Sequence, residues 1–231
     1  MKDWVSFWDS DHPIYVNARH FDVHYRAIAA DIVRLLPSAE ARVLDHGSGE
    51  ALYADDVAAK CGGLFLCEAA PGVRARVAAR FAGNEKIRVI GPPEVERLPA
   101  GCLDLVVANS LIQYLRRDEF KALLAVWRRL LKPGGKLVIA DVIGPEQSAA
   151  AAATLLRFAA KNGFLIAAIS GLARTVFSRY RKLRAELGLA HYGEGEMLDL
   201  LRAAGFSPRR LARNFGHNQR RMAFEAAKPA G

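Results

Sequence analysis

Over the first 140 residues, short apolar runs closed by glycine or an acid alternate with stretches whose apolar positions recur every three or four. From Ile14 to Leu36, residues Val16, Phe21, Ile28, Ile32 and Leu35 keep helical spacing until Pro37, which predicts an N-terminal helix. Ala41 to Asp45 reads as a strand running into the glycine turn His46-Gly47-Ser48-Gly49-Glu50, followed by a helix-compatible stretch from Ala51 to Lys60. The theme repeats with a strand Leu64 to Cys67 ending in Glu68, a helix from Pro71 to Phe81, and a third strand Ile87 to Ile90. Asp104 to Ala108 reads as a fully buried fourth strand and Asp118 to Leu131 as the helix after it. Pro133-Gly134-Gly135 then turns the chain into a fifth strand, Lys136 to Ala140, closed by Asp141. Buried strands alternating with helices imply a parallel sheet covered on both faces.

Past Gly144 the rhythm changes. Leu155, Phe158, Leu165, Ile169, Leu172, Val176 and Leu183 follow steps of three, four or seven, which predicts an amphipathic helical cap interrupted at Gly163 and Gly171. Glu194 to Ala204 reads as a helix ending at Gly205. Arg209 to Phe215 and Met222 to Ala227 read as two strands joined around Gly216-His217-Asn218, a closing hairpin. The expected organisation is one domain over 1–231: an N-terminal helical lid (1–38), a core (39–144), a cap insertion (145–193), and a C-terminal helix and hairpin (194–231) completing the sheet.

At 231 residues, 52% hydrophobic and 25% charged, the chain can bury a sizeable core, and collagen-like, coiled-coil and disordered readings are excluded. Its longest strongly apolar stretch, Asn162 to Ala173, is too short to cross a bilayer. The first residues carry no secretory pattern, and Cys61, Cys67 and Cys102 form neither an even set nor a CxxC pair. A reducing cytoplasm is therefore the expected location. The net charge of +9 is concentrated late: residues 1–140 hold 19 basic against 17 acidic groups, and 141–231 hold 14 against 7. Two acid-free runs, Arg174 to Arg184 and Arg202 to Arg221, either attract anionic partners or form solvated faces.

A glycine turn between a first strand and a helix lets a ligand approach the backbone and the free amides of the helix start. Leu52 stands where the dinucleotide fingerprint needs its last glycine, which weakens an NAD reading. What stands instead is Asp45, the two glycines and, 19 residues after Gly49, Glu68, an acid able to accept from both hydroxyls of a ribose. Val43-Leu44-Asp45-His46-Gly47-Ser48-Gly49-Glu50, Glu68 and Leu131-Lys132-Pro133-Gly134-Gly135-Lys136-Leu137, in that order, resemble the motifs of class I S-adenosylmethionine-dependent methyltransferases of the small-molecule type. Glu94-Val95-Glu96-Arg97-Leu98-Pro99 is similar to the family's segment after the third strand. Ala51 in place of a third glycine, and His46 within the first motif, depart from the family pattern.

The resemblance implies a Rossmann-like, seven-stranded, mostly parallel sheet with an antiparallel last strand. It implies S-adenosyl-L-methionine as cofactor and S-adenosyl-L-homocysteine as product. Asp45, Gly47, Ser48, Gly49, Glu68, Ala69, Glu94, Val95 and Asn109 are then the expected cofactor residues. Methyl transfer is an in-line displacement that asks mainly for alignment and a dry site, while an oxygen or carbon acceptor often adds a need for a base. His20 and His24, four apart on the N-terminal helix, and His217 in the hairpin turn are the candidate bases. No metal is expected, because the HxxxH pair lacks a third ligand. Tyr15, Gln113, Tyr114, Asp141, Tyr180 and Asn218 are candidates for the acceptor side. The apolar face of the cap (Phe158, Phe164, Leu165, Ile166, Ile169, Phe177) either lines a pocket for a hydrophobic or lipid-like acceptor, touches a membrane surface, or packs on the sheet or on a second subunit of a homodimer. An RNA methyltransferase using the basic C-terminal half, without a recognisable RNA-binding module, and a non-catalytic cofactor-binding protein are the competing functions.

Overall fold

The computed structural model describes residues 4–10, 17–145, 151–165, 167–169 and 188–230, and of 151–155 the backbone only. Seven strands, β1 (Arg42–His46), β2 (Gly63–Cys67), β3 (Ile87–Ile90), β4 (Leu103–Asn109), β5 (Leu131–Val142), β6 (Ser207–Arg210) and β7 (Met222–Ala227), form one sheet in the order β3-β2-β1-β4-β5-β7-β6. β1 to β5 pair in parallel, and β7 runs antiparallel to both of its neighbours. The fold is thus the Rossmann-like, mostly parallel sheet with a reversed last strand that the sequence implies.

The helices described are α1 (Trp4–Trp8), α2 (Ala18–Val33), α3 (Ala54–Ala58), α4 (Pro71–Arg80), α5 (Pro92–Glu96), α6 (Arg117–Leu130), α7 (Ala151–Lys161) and α8 (Glu194–Ala203). Strand side chains alternate between faces. Val43, Leu64, Leu66, Leu105, Val107 and Val138 pack with α2, α3 and α4, while Leu44, Phe65, Val106, Leu137 and Ile139 pack with Phe120, Leu124 and Trp127 of α6 and Met197 and Leu201 of α8. By the same alternation Asp45 belongs to the α2 face and His46 to the α6 face.

The boundaries differ from the sequence reading where turns intervene. β5 begins pairing at Leu131, and its register against β4 breaks across Pro133-Gly134-Gly135 before resuming at Leu105 and Lys136. β6 ends at Arg210, so the hairpin connection is a loop of residues 211–221 rather than a short turn. Below the sheet, Asp104 accepts from the Arg42 amide (2.8 Å) and from Lys132 Nζ (2.7 Å), clasping the starts of β1 and β4 to the turn before β5. The chain leaves β3 and crosses back to β4 beside β1, which opens a crevice at the carboxyl ends of β1 and β4. Of the expected cap, 146–150, 166 and 170–187 lie outside the described residues, and no described helix is long and apolar enough to cross a membrane.

Candidate active site

The glycine turn closes the carboxyl end of β1 with backbone that side chains disfavour. Gly47 has φ 84°, and Gly49 has φ 56° with Tyr25 Oη only 2.6 Å from where a Cβ would sit. The amides of Gly47 and Ser48 donate to Cys67 O at 2.8 and 3.1 Å, binding the turn to the end of β2. Glu68, the next residue, accepts from the Gly49 amide (2.9 Å) with one carboxyl oxygen and from the Ala70 amide (2.8 Å) with the other. Arg74 donates to the carbonyls of Glu68 and Ala69. Tyr25 of α2 accepts from the Glu50 amide at 3.0 Å, so α2 is fastened to the same turn.

Asp45 is buried beside Glu68 and makes no hydrogen bond among the described residues. Burial, then the neighbouring Glu68 charge, pushes its carboxyl up to about 7. Burial raises Glu68 as well, against the opposing pull of the backbone amides it accepts from. Ser48 Oγ is buried without a partner in the same wall. Two carboxyls, an orphaned hydroxyl and a glycine turn thus stand together at the carboxyl ends of β1 and β2, a set of groups suited to a ligand rich in hydroxyl and amine donors.

A second cavity of about 140 Å³ lies at the ends of β4 and β5, lined by His24, Ile28, Asn109, Ser110, Asp141 and the loop between β6 and β7. Ser110 and Asp141 both hold left-handed backbone, with φ of 54° and 61°, conformations that side-chain-bearing residues adopt when their surroundings enforce them. Here the enforcement is visible: Ser110 Oγ donates to Asp141 Oδ2 at 2.7 Å, and the Asp141 amide donates to Asn214 Oδ1 at 2.8 Å. Asn214 Nδ2 in turn donates to the carbonyls of Phe215 and Asn218, and the Gly216 amide donates to Asp31 of α2 (2.7 Å). The loop is therefore pinned to β5 on one side and α2 on the other.

The three histidines converge. His20 lies 6.4 Å from His24 and 6.2 Å from His217 between ring centres, His217 stacks on Phe158 at 4.4 Å, and His20 stacks on Phe164 at 5.2 Å. Burial is the main cause of their low basicity, with neighbouring histidines adding to it for His20, held at about 4, and His24, held at about 3. Burial also lowers His217, but the Asp141 carboxylate opposes the shift. All three are neutral at pH 7.

Other expected site residues fall in different settings. Gln113 sits in a single 3-10 turn (Ile112–Tyr114), buried, with Oε1 unpaired; Tyr114 packs against Trp4 and Trp8. Glu94 is exposed and accepts from the Gly91 amide, while Val95 turns into the core and its amide donates to Gly91 O. Asn109 keeps Oδ1 buried and unpaired at the end of β4. Asn218 lines the cavity, and Tyr15 and Tyr180 lie outside the described residues. His46, the odd residue of the first motif, accepts from the Trp127 indole at 3.1 Å, and burial lowers it to about 4. Sequence reasoning missed Tyr25 and Arg221, neither of which stands in a motif. Among the late basic residues, Arg209 pairs with Glu225, Arg210 with Glu194 and Arg202 with Asp199.

Residues 44–139 match the family model described as a methyltransferase domain. No curated protein sequence matches the chain. Among solved structures, the chain is similar to the YcgJ protein from Bacillus subtilis (13% identity, TM-score 0.60, covering 90% of this chain and 100% of that one). It is similar to phosphoethanolamine N-methyltransferase 1 of Haemonchus contortus, solved with phosphoethanolamine and S-adenosylhomocysteine (17% identity, TM-score 0.62, covering 98% of this chain and 48% of that one). A third is 1,6-didemethyltoxoflavin-N1-methyltransferase of Burkholderia thailandensis, solved with 1,6-didemethyltoxoflavin and S-adenosylhomocysteine (19% identity, TM-score 0.56, covering 89% and 78%). The domain match begins in β1 and ends in β5, so the segment of the chain that carries the glycine turn and the paired acids is similar to a methyltransferase domain.

Proposed function

We propose that the chain methylates a small acceptor whose ring or hydrophobic body lies in the histidine-lined cavity, with S-adenosylmethionine in the adjoining cleft. The observation that carries this reading is the placement of two groups at the carboxyl ends of the strands: acids, glycines and Ser48 at β1 and β2, suited to a nucleoside, and a cavity with histidines and aromatic rings at β4 and β5, suited to an acceptor.

When bound, S-adenosylmethionine supplies an electrophilic methyl group on a sulfonium. Glu68 has lone pairs left after its two amide bonds and would accept from the ribose hydroxyls. A positive group such as the ammonium of the cofactor's amino acid end would relieve the burial of Asp45. Gly47 and Gly49 allow close approach, Ser48 and Asn109 contribute polar atoms, Ala69 lines the turn after β2, and Glu94 offers its free oxygen at the adenine edge. Val95 contributes wall rather than a hydrogen bond, since its amide is engaged in α5.

On the acceptor side, Phe158 and Phe164 cover the histidine rings and keep water out. His217 is the favoured base: it is neutral at pH 7 and, alone of the three, is held toward the protonated form by Asp141, which stabilises the imidazolium formed when it takes an O–H or N–H proton. His24 shares the cavity wall and His20 orients the cluster from α2. Gln113 and Tyr114 support the rim. Methyl acceptors that are hydrophobic single rings fit a space of this size better than lipid chains or RNA.

Calorimetric titration with S-adenosylhomocysteine tests the cofactor half. Wild type is expected to bind and Glu68→Gln to bind at least tenfold more weakly; absence of binding to wild type would overturn the reading. S-adenosylhomocysteine formation over a panel of phenols, anilines and aromatic acids, with His217→Ala, tests the acceptor half.

A further inference from the structure

Arg221 stands apart from the arginines around it. Arg209 and Arg210 reach acids of the fold, whereas Arg221 turns inward at the start of β7 and lines the cavity with its side chain 17% exposed. Its Nη1 is buried and without a partner, and its guanidinium makes no hydrogen bond among the described residues. The nearest acid does not satisfy it: Nε lies 4.0 Å from Asp141 Oδ1, beyond hydrogen-bond reach, and the other oxygen of Asp141 is taken by Ser110.

A buried guanidinium with its donors unmet is costly unless a ligand meets them, and a planar fork of N–H donors matches an oxyanion. Opposite in kind, Asn109 Oδ1 in the same cavity is a buried acceptor without a donor. Between them lie Ile28, Phe215 and the His217 ring, in a volume close to the roughly 150 Å³ in which an apolar cavity holds one benzene ring. We infer that the acceptor is a single-ring aromatic or heteroaromatic carrying a carboxylate or equivalent oxyanion, which Arg221 binds, with a hydrogen-bond donor of the same ligand reaching Asn109. Arg221 is thus the specificity-determining residue of the acceptor side. The inference rests on the proposed methyltransferase reading for its setting and on the unmet guanidinium for its chemistry.

Benzoate and its neutral counterpart benzamide probe this directly, titrated into the protein both alone and with saturating S-adenosylhomocysteine. Wild type is expected to bind benzoate at least ten times more tightly than benzamide. Arg221→Gln is expected to abolish that preference with S-adenosylhomocysteine affinity unchanged, and Arg221→Lys to retain part of it. Equal binding of the two probes by wild type, binding of neither, or a preference that survives in Arg221→Gln would overturn the inference. So would a tenfold loss of S-adenosylhomocysteine affinity in Arg221→Gln, which would place the cofactor's own carboxylate on this guanidinium. Failure of the wild type to bind S-adenosylhomocysteine would instead strike at the cofactor reading, while the benzoate preference of the protein alone would still decide the role of Arg221.

Discussion

The indole N–H of Trp127 donates to Nδ1 of His46 across 3.1 Å, on the face of the sheet opposite Asp45. One strand thus ends in two adjacent buried polar residues facing opposite ways: Asp45 lines a pocket on the α2 side, and His46 is sealed under α6. Trp127→Phe leaves the His46 acceptor buried and unpaired, at a cost of about 1–3 kcal/mol. Replacing both partners, as in His46→Leu with Trp127→Phe, is expected to be milder than Trp127→Phe alone, since no orphaned group remains. Urea unfolding of the two variants checks this; equal losses in the single and double variants would refute it.

Asp45 gives a trade between stability and binding. Its carboxyl is raised from 3.8 to about 7 in the folded protein, so the folded state holds the proton more tightly. Its contribution therefore becomes unfavourable as pH rises from about 4 through 7 and stays so above. Asp45→Asn is expected to raise Tm at pH 8 by about 2–4 °C for each kcal/mol relieved, to raise it little at pH 4, and to weaken S-adenosylhomocysteine binding. Thermal melts across pH, paired with titrations, read both effects.

The histidines have the opposite sign. His24 is lowered from 6.5 to about 3, so the unfolded chain binds the proton first as pH falls below 6.5, and the stability of the folded state declines down to about pH 3. Asp45, Glu68 and Asp141, all raised by burial, slope the other way over part of this range, so the difference between variants is the clean observable. His24→Phe is expected to melt closer to, or above, wild type at pH 4.5 than at pH 7.5. A gap independent of pH would show that His24 is not held neutral.

Asp9 ties the N-terminal segment across the cleft. Its Oδ1 accepts from the amides of Gly72 and Val73 at the start of α4, while Trp4 and Trp8 of the same segment rest on Tyr114 after β4. Asp9→Ala is expected to cost about 1 kcal/mol as a lost helix cap and to speed proteolysis near the N-terminus and release of S-adenosylhomocysteine. Stopped-flow dissociation measures the last; an unchanged rate would show that this segment does not restrain the ligand.

Strands were legible because burial on both faces writes continuous apolar runs: Leu64 to Cys67 is buried at every position and falls within β2. The five-residue helices α1 and α5 were not, since fewer than two turns carry no period. The closeness of Glu68 to the glycine turn was legible because an acid closing the second strand stands at a fixed offset from Gly49. Arg221 was not, because an arginine in a basic run reads the same whether it faces water or a cavity, and only the fold shows that Arg209 and Arg210 make close contacts to acids while Arg221 approaches Asp141 no nearer than 4.0 Å.

The loop of residues 211–221 hangs between β6 and β7, at the far side of the sheet from β2 and β3. It brings Phe215, Gly216, His217, Asn218 and Arg221 to the cavity, while Glu68 and the glycine turn belong to the opposite half. Selection can therefore rewrite eleven consecutive residues without disturbing the methyl-donor half, so that descendants of this chain inherit one reagent and diverge in what they modify.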